Sequence, residues 1–271
     1  MTIKDDILKK YSIDDIKQHP TNTLDFVGIA LNFVYPNISC IEPAFYNKIF
    51  TEFPERLLNP MKEHKLQISN EGLNTNRVSI EEKNSVTYVY NDEDGKFQLL
   101  LNNEMLDFQC INPHENYSNF KEFSDTFKKI YACLLNVANN YNADIHVNNK
   151  ALFVRKINKV KFDIETLSKL NNDYIKETNL LKDNGITIEE PARFYNEIVS
   201  QENDGTKIVI RNGSSPNPDG KSKSLIYDFQ VFKDNPSKLN TPMEEDLNNF
   251  STIIYNLYRH MLGDKFFDEN N

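Results

Sequence analysis

The chain has 271 residues, 39% hydrophobic and 26% charged, with a formal net charge of −9. That length suits one large domain or two small ones, and the composition is that of a globular chain with a core. The acidity disfavours broad nucleic-acid binding, which needs clustered Lys and Arg to displace phosphate counterions. No stretch approaches the ~20 apolar residues of a membrane span, and residues 1–20 lack the apolar centre of a secretory signal. Cys40, Cys110 and Cys133 cannot all pair and none lies in a CxxC, which predicts a reduced, cytoplasmic setting.

Residues 1–22 read as a helical leader, with Ile3, Ile7, Leu8 and Tyr11 at helical spacing before His19-Pro20. In 24–36 both alternating residue sets are largely apolar, which predicts a central strand covered on both faces. Residues 41–57 read as a helix with Pro43 in its first turn and Phe45, Ile49, Phe50 and Phe53 as its stripe. Strand signals follow at 77–80, 86–90, 97–101 and 105–111, with Asp94-Gly95 marking a hairpin, so a meander is expected. Residues 117–141 form the longest predicted helix, through Phe120, Phe123, Phe127, Ile130, Tyr131, Leu134 and Leu135.

Residues 151–163 are predicted as a strand and 164–175 as a short helix. Strands are expected at 193–201, 206–212 and 223–233, with 213–222 as a Pro- and Gly-punctuated loop. A final helix is expected over 241–262, capped by Thr241 and started by Pro242, with three acids in its first turn and Leu247, Phe250, Ile254, Leu257, Tyr258 and Met261 as its buried stripe. Strands followed by a helix, twice, predict an α+β fold of antiparallel sheets with long helices packed on them, in two related halves. The expected division is a leader at 1–22, a first half at 23–163 and a second at 164–271.

Chemistry is sparse. The eight glycines are isolated, so no phosphate-cradling loop or nucleophile elbow is present. The five histidines show no metal-ligand spacing; Asp144-x-His146 is best taken as a solvated loop pair. Glu63-x-Lys65, Glu81-x-Lys83 and Asp94-x-Lys96 are candidates for a metal-dependent nuclease, but the first two lack an aspartate in the preceding forty-odd residues except Asp25, and the third sits in a predicted hairpin turn. Cys110 and Cys133 lie on apolar runs and read as small buried hydrophobes, and Ser214-Ser215 as turn chemistry. Arg155, Lys156, Lys159 and Lys161 make one basic strand: an anion-binding edge, or a polar face paired with acids of a neighbouring element. Asn158 within it suits an irregular strand site. Phe266-Phe267 is an apolar pair on an acidic body, suited to docking.

Several segments together carry a resemblance: 27–36, Phe50–Arg56, 97–109, Tyr117-x-x-Phe120-x-x-Phe123, 152–160, 225–232 and 258–266. Their order resembles a sporadically distributed, functionally uncharacterised bacterial family with a two-part α+β body. Arg155-Lys156-Ile157-Asn158-Lys159-Val160 matches that family's Arg-Tyr-Ile-Asn-Arg-Ile strand, with Lys156 in place of the aromatic residue. The resemblance implies architecture and no catalytic, cofactor or metal residues.

The expected function is non-enzymatic protein–protein interaction: a partner or regulator of a co-encoded factor, in phage defence or toxin neutralisation, with Arg155, Asn158, Phe266 and Phe267 as interaction residues. Self-association as a homodimer is compatible with the aromatic stripes. The alternatives are a metal-dependent hydrolase or nuclease built from scattered carboxylates, and a client-binding chaperone.

Overall fold

A computed structural model describes residues 23–35, 37–70, 76–111, 113, 119–141, 151–163, 195–216, 222–234 and 243–262. The leader at 1–22, the predicted helix at 164–175, Asp144-x-His146, Thr241-Pro242 and Phe266-Phe267 lie outside these residues.

Nine strands form one antiparallel sheet: β1 (Leu24–Asn32), β2 (Glu55–Asn70), β3 (Asn76–Asn91), β4 (Phe97–Leu101), β5 (Met105–Ile111), β6 (Leu152–Asp163), β7 (Tyr195–Gln201), β8 (Thr206–Pro216) and β9 (Ser222–Lys233). Their order is β2-β3-β4-β5-β1-β6-β9-β8-β7. Separate sheets for the two parts of the chain were expected, and a single sheet is found. The reason is the β1–β6 pairing, in which Val27 faces Lys156, Ile29 faces Val154 and Leu31 faces Leu152. Each of these strands also pairs with the last strand of a meander, β1 with β5 and β6 with β9. The backbone hydrogen bonds of a central strand must be met on both sides, and these two strands meet each other's.

The helices are α1 (Glu42–Ile49), α2 (Phe120–Asn140) and α3 (Met243–Leu262). They lie against one face of the sheet. On that face Phe108 stacks on Phe123 of α2 with ring centroids 4.5 Å apart. Tyr46 of α1 stacks on Tyr90 at 5.6 Å, and Tyr258 of α3 meets Tyr227 and Phe229 edge-on. The core face of β1, Val27, Ile29 and Leu31, is fully buried. Burial of such side chains contributes about 1.5–3 kcal/mol each, so this shared face is the main source of stability. Lys128 of α2 pairs with Glu244 of α3 at 3.3 Å and ties the two helices together.

Local capping agrees with the sequence signals. The side chain of Asn119 accepts from the Glu122 amide at 2.9 Å and starts α2 three residues later than Tyr117, the expected first residue. Glu244, Glu245 and Asp246 occupy the first turn of α3, where the helix dipole favours negative charge. At the β3–β4 hairpin Gly95 takes φ +66°, the left-handed conformation that Asp94-Gly95 predicts. Asp92 accepts from the amides of Lys96 and Phe97 and closes that turn.

Three expectations are corrected. The helix expected over 41–57 ends at Ile49, and Arg56 and Leu57 already belong to β2. Pro54 cannot continue a helix, and the residue before it is driven to extended backbone. Residues 58–70, for which no element is expected, belong to β2; Pro60 is accommodated because β2 is an edge strand, where a missing amide is tolerated. The signals at 77–80 and 86–90 are one strand, β3, whose residues 76–87 pair with β2 alone as a two-stranded ribbon. Lastly, Gly213–Pro216, expected in a loop, continue β8 opposite Lys223–Ile226. Turn-forming residue types do not prevent pairing when a partner strand is aligned beside them.

Glu42 anchors α1. Its carboxylate is fully buried, accepts from the Tyr90 hydroxyl at 2.8 Å and pairs with Arg56 at the start of β2. The Arg56 guanidinium lies 5.4 Å from both the Tyr46 and Tyr88 ring centroids. Burial and the Glu42 hydrogen bond push the Tyr90 phenol well above its ordinary pKa, which keeps it a donor. Glu42→Ala is therefore expected to lower the unfolding free energy by about 2–4 kcal/mol, because it leaves Arg56 and the buried Tyr90 hydroxyl without their acceptor. Glu42→Gln costs less, since the amide oxygen still accepts from Tyr90. Urea unfolding with unchanged m-values checks both.

Candidate functional site

Side chains alternate across a strand, so the sheet has a second face, opposite the helices. Register sets its residues in rows. One row runs across all nine strands: Leu57, Val89, Leu100, Asp107, Ala30, Phe153, Phe232, Lys207 and Gln201. Six of these nine are apolar, and Phe153 stacks on Phe232 with centroids 5.0 Å apart. The neighbouring row is mostly polar through its centre, with Gln230, Arg155, Gly28, Gln109 and Gln98. A third carries Glu197, Arg211, Asp228, Ile157, Phe26 and Ile111. Leu57, Ile111 and Val199 on this face are exposed, while Phe26, Ala30, Phe153, Ile157 and Phe232 are half-buried.

The expectation that β1 is covered on both faces is corrected accordingly. The set Val27, Ile29 and Leu31 lies under the helices, whereas Phe26, Ala30 and Asn32 keep partial exposure. Composition marks both sets as apolar, but it cannot say what packs on each.

A chain of charges crosses the open face. Arg155 donates Nε and Nη2 to the two carboxylate oxygens of Asp228 at 2.9 and 2.8 Å. Arg211 reaches the same carboxylate at 3.6 Å and Glu197 at 2.6 Å. The bidentate geometry fixes the Arg155 plane 5.7 Å above the Phe26 ring. Phe26 in turn lies over Gly28: a Cβ there would stand 3.0 Å from two of its ring carbons, so glycine makes the seat. Asp107 accepts from Gln109 at 2.5 Å. Burial pushes its pKa up to about 6, against the opposing pull of the Gln109 bond and the Arg155 charge.

The interaction residues predicted from sequence separate. Arg155 and Asn158 share β6 but point to opposite faces. Asn158 is buried on the helix side, where its side-chain oxygen accepts from Thr23 at 3.4 Å; Thr23 also bonds Tyr258 of α3 at 2.6 Å. β1 slips register against β6 between Leu24 and Phe26, so the strand pair is irregular here, and the Asn158 bond is to a side chain. Of the two readings of the basic strand, the edge is corrected, since β6 is central in the sheet. The paired polar face is seen at Arg155, whose acid is Asp228 on the neighbouring β9. Arg155, Lys159 and Lys161 lie opposite to Lys156, which is buried under the helices.

Register sets two of the nuclease candidates side by side in the β2–β3 ribbon, with Glu63 opposite Lys83 and Lys65 opposite Glu81, while in the third Lys96 pairs with its own turn residue Asp94 at 3.4 Å. Among the described residues, no group of three or more His, Cys, Asp or Glu could hold a metal ion, and no helix is long and apolar enough to cross a membrane. Cys110 is buried, with its thiol pushed up to about 11 by desolvation first, and Cys133 is half-buried against the core. No family model, curated protein or solved structure matches the chain.

The raised Asp107 pKa has a measurable consequence. The folded state holds this proton more tightly than the unfolded chain, whose carboxyl titrates near 3.9. The stability it supplies is complete below about pH 4 and is lost as pH rises through 6. Asp107→Asn should remove that slope and leave the protein about 1–2 kcal/mol more stable at pH 7. Urea titrations between pH 4.5 and 7.5 check this; parallel curves for variant and wild type count against it.

Proposed function

We propose that this chain is a non-enzymatic protein–protein interaction module whose docking surface is the open face of the sheet. One observation carries the reading: the row from Leu57 through Val89, Leu100, Ala30 and Phe153 to Phe232 is apolar but for Asp107, between Leu100 and Ala30, on the face opposite the described helices. An antiparallel face that meets water alone normally alternates to polar residues, and contiguous apolar surface of this kind marks an interaction site. The ion pairs beside the row satisfy one another, so a partner needs to supply shape and apolar contact more than charge. Arg155 then serves to hold the Phe26 ring and the polar row in place.

The partner we propose is a co-encoded protein, in phage defence or toxin neutralisation, and the chain a member of the sporadic bacterial family it resembles. We also propose that 23–163 and 164–271 are related halves, each with strands followed by a long helix. Support comes from the order of elements, β2–β5 ahead of α2 and β7–β9 ahead of α3. A homodimer and a client-holding chaperone would use the same apolar row. Asp107, with its raised pKa beside Arg155, is the carboxylate a hydrolase reading would need.

Phe153→Glu in the middle of the row tests the surface. The half-buried site allows the variant to fold, so its melting temperature stays within a few degrees of wild type. Co-expression with the neighbouring gene products should yield a complex with wild type and none with Phe153→Glu. Light scattering reads the homodimer outcome and suppression of aggregation of an unrelated unfolded protein the chaperone outcome. Metal-dependent cleavage of nucleic acid that Asp107→Asn abolishes would overturn the non-enzymatic reading.

A further inference from the structure

A cation is buried at the centre of the helix side of the sheet. Lys156, at the middle of β6, is 9% exposed. Its register neighbours are Val27 and Phe229, both fully buried. Its ammonium donates to Ser251 Oγ of α3 at 2.8 Å and lies 4.5 Å from the ring centroid of Phe120, the first residue of α2. A single side chain thus touches the central sheet, the start of α2 and the middle of α3.

Among the described residues, the charged groups of the elements around it are exposed or pair elsewhere. Lys121 and Glu122, at the start of α2, are exposed. Asp246 of α3 pairs with Lys233 at 3.5 Å, and Arg259 lies by Tyr255 further along the helix. Arg155 of β6 and Asp228 of β9 point to the open face. Asn158 and Tyr258, on the same side as Lys156, are uncharged, the Tyr258 phenol being pushed well up by burial. Burial brings the pKa of the Lys156 amine down to about 7.

We propose that Lys156 is a proton-operated latch between the sheet and the helices α2 and α3. In the neutral amine the hydrogen bond to Ser251 meets most of the donor's demand, and the surrounding apolar contacts close around it. The ammonium has three donors, one hydroxyl acceptor and one ring, so its charge stays largely uncompensated in the core. Opening the helices to water relieves that charge. The direction follows from linkage. The folded state releases this proton near pH 7 and the unfolded chain near 10.4, so the unfolded state binds more protons in between. Stability therefore rises with pH across that window, and the burial penalty is felt in full below it.

Hydrogen exchange, corrected for intrinsic rates, tests the latch. Between pH 8 and 6 the charged fraction of Lys156 rises from roughly a tenth to roughly nine-tenths. Exchange over α3 and the first turns of α2 should then quicken by about tenfold, relative to β4 and β5. Lys156→Met, close in volume and uncharged, should stay protected at both pH values and show urea stability at pH 7 above that of wild type. A wild-type and a Lys156→Met protein that respond identically to pH would overturn the proposal. The Lys156 Cε resonance of the unaltered protein is an independent check: a midpoint near neutrality supports the latch, and a midpoint near 10 sinks it.

Discussion

The pairing of β1 with β6 is the constraint on which the rest of the molecule hangs. These two strands are about 120 residues apart in the chain, and an antiparallel ladder between them unites everything that precedes β6 with everything that follows it. Without that ladder each strand would present an unpaired edge of amides and carbonyls. With it, the meander β2–β5 and the meander β7–β9 become the two wings of one surface. All three described helices can then share a single apolar face, which explains why Val27, Ile29 and Leu31 are fully buried at its centre.

A sheet of this width with helices on one side has two faces of different character. The helix side is dense with rings, from Phe53 and Phe108 through Phe123 to Tyr227, Phe229 and Tyr258. Among its buried ionisable groups, Glu42 and Lys156 are treated in different ways. Glu42 has a cation and a phenol as partners, so its charge is matched. Lys156 has a hydroxyl and a ring, so its charge is not. The open side reverses the arrangement. There the charges of Arg155, Asp228, Arg211 and Glu197 compensate one another, and the apolar side chains Phe26, Ala30, Phe153 and Phe232 keep partial exposure. A self-satisfied polar network beside an apolar row is a surface that can be desolvated cheaply, since few of its hydrogen bonds have to be surrendered when water leaves.

Much of the fold was legible in the chain because its signals are local. The stripe of α2 lies in Phe120, Phe123, Phe127 and Ile130, and the β3–β4 turn in Asp94-Gly95; neighbours in sequence settle both. The apolar character of both residue sets in β1 was equally plain. What composition could not convey is pairing. The polar edge strand β2, interrupted by Pro60, takes its extended form from β3 beside it, and Gly213–Pro216 take theirs from β9.

The candidate site divides along the same line. That β6 carries Arg155, Lys156 and Asn158 is written in the chain, and the two-residue period of a strand assigns them to opposite faces once the strand is accepted. Which face receives helices, and which acid sits beside Arg155, depends on contacts such as Arg155 with Asp228, 73 residues away. The open row from Leu57 to Phe232 draws one residue from each of several strands, so no segment of the chain contains its pattern. Such a surface exists only after register has been set, because register alone decides which side chains stand next to one another.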